Sequence, residues 1–356
     1  MPSNAILHFF LPEARSIRII TCTDGNINGT WIVHYSLPGS ADKLVVLQRL
    51  NPAVFPDPHG LMANFRIVTR HLAEQREARG DTPLFPRLLA NPSGQDFFLD
   101  TDGSLWRMCS YIGPARVLHT LTAPQAGLAG DMLAHFHLLS KDIASDQLTD
   151  PLPGFHDTPG YLTKFDAIAV QHTPKNSVEE YCFKSISSLR QVASLFSPLM
   201  SQLRSQVVHA DPKNSNFLFA QDSEQILSLI DLDTVRYGYI LHDLGDCLRS
   251  SCNRAGEESD NPTFSPEHFT ALLAAYLTRA RHLLSKTDEG LLLESASLLI
   301  FELGLRFFTD HLQNNVYFKV HYPAQNLHRA LVQFRLHASL MAQESELQKR
   351  VKSLLT

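Results

Sequence analysis

Apolar positions change rhythm about a third of the way along the chain. Residues 16–21, 30–35 and 43–50 are rich in β-branched and aromatic side chains, and a polar Asp24-Gly25-Asn26-Ile27-Asn28-Gly29 stretch separates the first two segments. Such runs predict strands, and the Gly/Asn break predicts the turn of a hairpin. Pro52, Pro56 and Pro58 end the third run. From Leu61 to Arg79 the apolar positions Leu61, Phe65, Val68 and Leu72 recur at helical spacing. Residues 97–99 and 105–112 predict a second hairpin, turning at Asp100-Thr101-Asp102-Gly103. After Tyr111-Ile112-Gly113-Pro114 helical periodicity takes over: 125–140, 178–204 with a break at Pro198, and nearly everything from Pro266 onward. Two short apolar strands, within 205–219 and 225–231, bracket polar residues between these helices. The pattern therefore predicts an α+β chain with a small antiparallel-sheet lobe carrying one helix, residues 1–112. A larger, mainly helical lobe follows, residues 113–356.

Composition narrows the classes of function. The chain has 356 residues, 44% apolar and 19% charged, which excludes disorder. A net charge of −5 with no basic block argues against nucleic-acid binding and against an anionic membrane surface. The cysteines number five and include no CxxC pair, so neither a disulfide framework nor a zinc site is expected. The seventeen histidines show no HExxH spacing. The N-terminal residues lack the pattern of a signal peptide. The most apolar stretch, 291–308, is interrupted by Glu294, Glu302 and Arg306, so no membrane span is expected. A reduced, cytoplasmic protein is the expectation, with oligomeric state left open.

Chemistry concentrates in Val207-Val208-His209-Ala210-Asp211-Pro212-Lys213-Asn214-Ser215-Asn216 and, beyond a second apolar strand, Ile230-Asp231-Leu232-Asp233. If the flanking strands are neighbours, Asp211, Asn216 and Asp231 converge at one end of them. Asp211 can then accept a hydroxyl proton, Asn216 and Asp231 offer the hard oxygens Mg²⁺ prefers, and Lys213 reaches a phosphoryl oxygen. Asp233 either joins the metal shell, orients it, or caps its turn. The protein-kinase spacing H-R-D-x-x-x-x-N, followed by a second aspartate, follows the same logic.

These motifs resemble the aminoglycoside phosphotransferase/choline kinase superfamily, and within it most closely the N-acetylhexosamine 1-kinases. Supporting segments are Gly25-Asn26-Ile27-Asn28, Leu47-Gln48-Arg49-Leu50-Asn51, Trp106-Arg107, Phe155-His156-Asp157-Thr158-Pro159, His242-Asp243-Leu244-Gly245-Asp246, Arg306-Phe307-Phe308-Thr309-Asp310 and Val316-Tyr317-Phe318. The resemblance implies a protein-kinase-like bilobal fold whose N-terminal lobe binds nucleotide, an ATP- and Mg²⁺-dependent reaction and a small-molecule sugar as partner. It implies Asp211 as catalytic base with Lys213 beside it, and Asn216, Asp231 and Asp233 around the metal. Gly25, Asn26, Asn28, Arg49, Met108, Ser110 and Tyr111 would line the nucleotide, and Arg306 and Tyr317 would contact the acceptor. His209, Asp243 and Asp246 read as scaffold. One departure stands out: Leu61 to Ala73 has no acidic residue, and Ala63 stands where a glutamate would pair with the strand cation. An aminoglycoside or amino-alcohol acceptor, and a catalytically silent kinase-like binding protein, are the alternatives.

Overall fold

The structure is a computed structural model that describes residues 1–22, 28–80 and 84–356. A short helix, α1 (Asn4–Phe10), capped by the Ser3 side chain, precedes the first strand and was not foreseen in the sequence pattern. Then come β1 (Ser16–Cys22), β2 (Gly29–Ser36), β3 (Lys43–Arg49), helix α2 (Pro58–Arg79), and strands β4 (Leu88–Leu89), β5 (Phe97–Leu99) and β6 (Leu105–Ser110). The sheet runs β1-β2-β3-β6-β4 with β5 paired to β6, and every pairing is antiparallel. Both predicted hairpins are present.

Strand alternation gives this sheet two unlike faces. On the outer face Trp31, Val33, Val45, Leu47, Trp106 and Met108 pack beneath Ile6, Leu7 and Phe10 of α1. The Trp31 and Trp106 rings stack at 5.1 Å. The inner face carries Gln48 and Arg107, cross-strand partners in the β3–β6 register, and is covered by α2. Helix α2 starts where Asp57 accepts from the Gly60 amide, and ends at Gly80 with φ 66°. Only a residue free of a Cβ clash takes that left-handed turn at little cost.

The larger lobe begins with β7 (Ala115–Val117) and α3 (Ala123–Ser140), whose Thr122/Gln125 capping box fixes its start. Next come α4 (Thr158–Ala169) and α5 (Ser177–Ser188). The predicted helix over 178–204 is split: α5 stops at Ser188 and two 3₁₀ segments, Arg190–Ser194 and Ser197–Gln202, complete the stretch. Serines compete for backbone hydrogen bonds, and Pro198 cannot continue a helix. Four strands follow: β8 (Ser205–Val208), β9 (Phe217–Ala220), β10 (Ile226–Leu229) and β11 (Arg236–Tyr239). β9 pairs with β10 and β7, while β8 pairs with β11, so the two polar loops are nested against each other.

Helices close the chain: α6 (Ile240–Ser251), α7 (Pro266–Ala280), α8 (Lys286–Gly290), α9 (Leu292–Leu312), α10 (Gln325–Met341) and α11 (Glu344–Leu355). α9 is buried along most of its length. α6 crosses it so tightly that a Cβ at Gly245 would run into the Ser295 carbonyl. None of the described helices is long and apolar enough to cross a membrane. Cys109, Cys182, Cys247 and Cys252 are buried and form no disulfide.

Candidate active site

The loop from His209 to Asn216 leaves β8 and is held from three sides. Asp243 of α6 accepts the amides of His209 and Ala210, both at 2.7 Å. His137 of α3 holds the same carboxylate at 2.9 Å and contacts Tyr276 of α7 at 2.8 Å. Burial opposes the Asp243 charge, but these donors outweigh it and lower its pKa. The scaffold role read for Asp243 matches this geometry. His209 turns inward to the Ile230 carbonyl at 2.9 Å, which ties the two nested loops together. Burial lowers the pKa of His209.

Asp211 emerges from this support with 20% of its side chain exposed. Its Oδ2 accepts from Lys213 Nζ at 2.6 Å and from Asn216 Nδ2 at 3.3 Å. Burial works against the Asp211 charge, yet the Lys213 ammonium prevails and lowers its pKa. Asp211 is therefore a carboxylate at neutral pH. Asn216 also donates to the Asp211 carbonyl at 2.7 Å, which leaves its side-chain oxygen for a ligand. Asp231 takes the left-handed conformation, φ 65° and ψ 56°, on the adjoining loop. Burial, then the Asp233 charge, push its carboxyl up to about 7. An amide oxygen beside a carboxylate crowded by like charge fits a divalent cation such as Mg²⁺, which takes one or two protein oxygens when phosphates supply the rest. No group of three His, Cys, Asp or Glu side chains among the described residues forms a metal cage of its own.

Asp233 is engaged elsewhere. Its Oδ1 lies 2.6 Å from Arg107 Nη1, both side chains 1% exposed, and its Oδ2 accepts from Asn28 Nδ2 at 2.6 Å. Both oxygens thus serve residues of the N-terminal lobe. With both oxygens engaged, Asp233 neither caps its turn nor turns an oxygen to Asn216 and Asp231, and its charge acts on Asp231. Arg107 also donates from Nε and Nη2 to Gln48 Oε1, at 3.0 and 2.7 Å, and lies 4.0 Å over the Phe65 ring of α2. The glutamate missing from α2 is thus replaced twice. Its charge comes from Asp233, and its contact with the helix is a cation–π stack.

Two further expectations are corrected by strand alternation. Arg49 points to the outer side of β3, where it pairs with Asp102 at 2.8 Å and Ser104 at 2.6 Å, nearly half-exposed. Met108 is buried under α1 in the outer core. Ser110 accepts the Arg87 amide at 2.9 Å, and Tyr111 is half-buried, its ring lying over Gly113. Gly25 and Asn26 lie outside the described residues. Asn28 lies at their edge, donating to Asp233 and accepting the Asn51 amide at 3.0 Å.

A cavity of about 280 Å³ opens between the β3–α2 connection, α4 and α9, and no residue of the two nested loops lines it. Arg306 lines it with its guanidinium 4.9 Å from the Phe155 ring, 5.1 Å from Tyr161, 5.7 Å from Tyr317 and 5.4 Å from Phe318. One turn before it, Glu302 binds His156 Nδ1 at 2.9 Å and Thr158 at 2.6 Å. His156 Nε2 reaches the Ala210 carbonyl at 2.8 Å, so the cavity wall is joined directly to the loop bearing Asp211. One turn after Arg306, Asp310 accepts the amides of Tyr317 and Phe318, at 2.8 and 2.9 Å, and fixes those rings over the cavity. Arg306 and Tyr317 are thus brought together.

Backbone strain marks the same region. The described non-glycine residues with positive φ are His156, Ala210, Asp231, Asn314 and Asn315. Three belong to the nested loops and their histidine tie; the asparagines open the segment that carries Tyr317. Such conformations cost about 1–3 kcal/mol each and persist at sites that need them.

Residues 21–293 match the phosphotransferase enzyme family. The chain belongs to that family. Among solved structures, this phosphotransferase is similar to an aminoglycoside phosphotransferase from Alicyclobacillus acidocaldarius, with TM-score 0.65 and 16% identity over 99% of this chain and 97% of that one. It is also similar to a microcompartment-associated aminopropanol kinase, with TM-score 0.63 and 17% identity over 98% of each chain. A spectinomycin phosphotransferase in complex with ADP and spectinomycin matches with TM-score 0.60 and 13% identity, over 96% and 97%. The fold is kinase-like, an N-terminal antiparallel-sheet lobe beside a larger helical one.

Sequence reasoning gave no site role to several residues that brace the candidate site: Gln48, Arg107, His156, Glu302 and Asp310. For Glu302 and Asp310 a signal exists. With Arg306 they recur every four residues and so share one face of a helix. For Arg107 the signal is weaker, a basic residue amid the apolar run of β6.

Proposed function

We propose that this phosphotransferase is an ATP- and Mg²⁺-dependent kinase that phosphorylates the anomeric hydroxyl of an N-acetylhexosamine. The observation that supports it is the aromatic box around Arg306, in a cavity whose wall His156 joins to the loop bearing Asp211. Aromatic faces and a fixed multiple donor suit a neutral polyhydroxyl acceptor. An ammonium-bearing acceptor such as an aminopropanol would meet Arg306 and Lys164 as like charges in the same cavity, against the single carboxylate of Asp310, whose two oxygens already accept amides.

Asp211 takes the acceptor proton on Oδ1, while Lys213 holds Oδ2 and keeps the carboxylate charged. An anomeric hydroxyl is more acidic than an ordinary alcohol, which lightens the demand on this base. ATP supplies the phosphoryl group, and Mg²⁺, when held by Asn216 and Asp231, supplies positive charge to the phosphates. Asn28, Ser110 and Tyr111, with Gly25 and Asn26 as the sequence motif implies, would border the nucleotide, while Arg107, 1% exposed and held by Asp233 and Gln48, braces the two lobes rather than contacting it.

The test is phosphate transfer from ATP to N-acetylglucosamine, N-acetylgalactosamine, kanamycin, spectinomycin and aminopropanol. A non-reducing sugar 1-phosphate is the expected product. Transfer to the amines alone would overturn the acceptor assignment. Asp211→Asn should lower kcat about 10²–10⁴-fold with ATP affinity kept within twofold; full activity of that variant would remove Asp211 from the chemistry.

A further inference from the structure

Asp246 is a buried side chain with an unused end. It is 7% exposed on α6, and its Oδ1 accepts from Arg249 Nε at 2.7 Å. Its Oδ2 is shielded from solvent and has no hydrogen-bond partner among the described residues. Arg249 turns its Nη1 to Glu257, at 2.7 Å. A buried carboxylate oxygen without a donor is costly, and such atoms in native proteins are usually met by a ligand or water.

The position of this oxygen points to which ligand. Asp246 follows Asp243 by three residues, so both lie on one face of α6. Asp243 binds the amides of His209 and Ala210. Asp246 therefore borders the loop that carries Asp211, one turn further along the helix. After burial and Arg249, the charges of Asp211 and His156 both act on its carboxyl. His156 in turn joins the Ala210 carbonyl to Glu302 and the cavity wall.

We propose that Asp246 Oδ2 is a specificity determinant for the acceptor, receiving a hydrogen bond from a sugar hydroxyl or acetamido N–H and so aiming the reacting hydroxyl at Asp211. This rests on the sugar-kinase reading above. Arg249 is shared between Asp246 and Glu257, and burial outweighs it to push the Asp246 carboxyl up, so a neutral donor satisfies Oδ2 without bringing a further charge into the buried cluster. A ring carbon without its hydroxyl leaves the oxygen orphaned, and sites built around such a bond discriminate strongly against the deoxy analogue.

The experiment is calorimetric binding of N-acetylglucosamine, N-acetylgalactosamine and their monodeoxy analogues to the full chain and to Asp246→Asn, with steady-state kinetics on both. In the variant, Arg249 retains the amide oxygen and the NH₂ group turns toward the sugar, reversing the polarity it meets. Sugar affinity should fall at least tenfold and the sugar KM rise by a similar factor, with ATP affinity within twofold. One deoxy analogue should lose at least tenfold on the unaltered protein and nothing further on the variant. Equal losses for every analogue on both proteins, or sugar affinity within twofold in Asp246→Asn, overturn the proposal. A structure of the sugar complex with Asp246 Oδ2 beyond 3.5 Å of every sugar donor overturns it too, whether or not the variant folds. If the unaltered protein neither binds nor phosphorylates these sugars, the sugar-kinase reading fails and this proposal with it. If it phosphorylates them with Asp246 indifferent, this proposal alone fails.

Discussion

Arg107 and Arg49 lie on adjacent strands, within one register step of each other, and meet opposite environments. Arg107 faces inward and joins the lobes through Asp233, both side chains 1% exposed. Arg49 faces outward and pairs with Asp102 at a turn, the two side chains 46% and 55% exposed. The N⁺···O⁻ distances are similar, 2.6 and 2.8 Å, so distance does not separate them. Desolvation does. A buried pair is balanced only while both partners stay, whereas an exposed pair trades one solvated state for another.

The strongest way to break this comparison is Arg107→Met. It keeps the packing on Phe65 but leaves Asp233 buried without its cation, so stability should fall by about 3–5 kcal/mol, read as the denaturant midpoint at constant m. Asp233→Asn in the Arg107→Met background should recover part of the loss, because the stranded charge goes with it. A single-variant loss below about 1 kcal/mol would make the pair no different from a surface one.

The inner pair also shows what the sequence could not disclose. Asp211, Asn216 and Asp231 were legible because their spacing is local and apolar strands bound each loop, and the structure brings them together through the Asn216–Asp211 and His209–Ile230 hydrogen bonds. The two-lobe plan was legible from the change in periodicity. Arg49 and Met108 were misread because a one-residue step along a strand reverses the face, and no local feature of 43–50 says which side α1 covers. Arg107 and Asp233 meet across the lobes, so neither residue's neighbours in sequence predict the other. Of the Glu302, Arg306 and Asp310 stripe, Arg306 was read as an acceptor contact, but Glu302 registered only as a break in an apolar stretch and Asp310 only as part of a resembling segment.

A third pair sharpens the comparison because its cation titrates. His156 and Glu302 lie 2.9 Å apart, 6% and 2% exposed. Burial opposes the Glu302 charge, but His156 and the other donors bring its carboxyl down from 4.5 to about 2. The depressed pKa means its contribution, about 3 kcal/mol for a shift of that size, is complete above pH 4.5 and is lost as pH falls toward 2. Burial opposes the His156 charge too, and Glu302 raises its pKa above 6.5, so its part is complete below pH 6.5 and is lost as pH rises through the raised value. Stability measured against pH should therefore show both limbs, and Glu302→Gln should flatten both. Unchanged limbs in that variant would assign the pH dependence to other groups.

The smallest expected effect is the most discriminating for the strand cation. Arg49→Ala removes a cation whose charge is half in water and whose ionic partner, Asp102, stays solvated at the turn. Loss of stability should stay below about 1 kcal/mol and shrink further in 1 M salt, where exposed charges are screened within about 3 Å. ATP affinity should remain within twofold, because the side chain is directed away from the face that carries Gln48 and Arg107. A tenfold loss of ATP affinity in Arg49→Ala, with Arg107→Met near normal, would reverse the comparison. It would mean that β3 presents its other face to the nucleotide during turnover, since only a one-residue change of register exchanges the two sides of a strand.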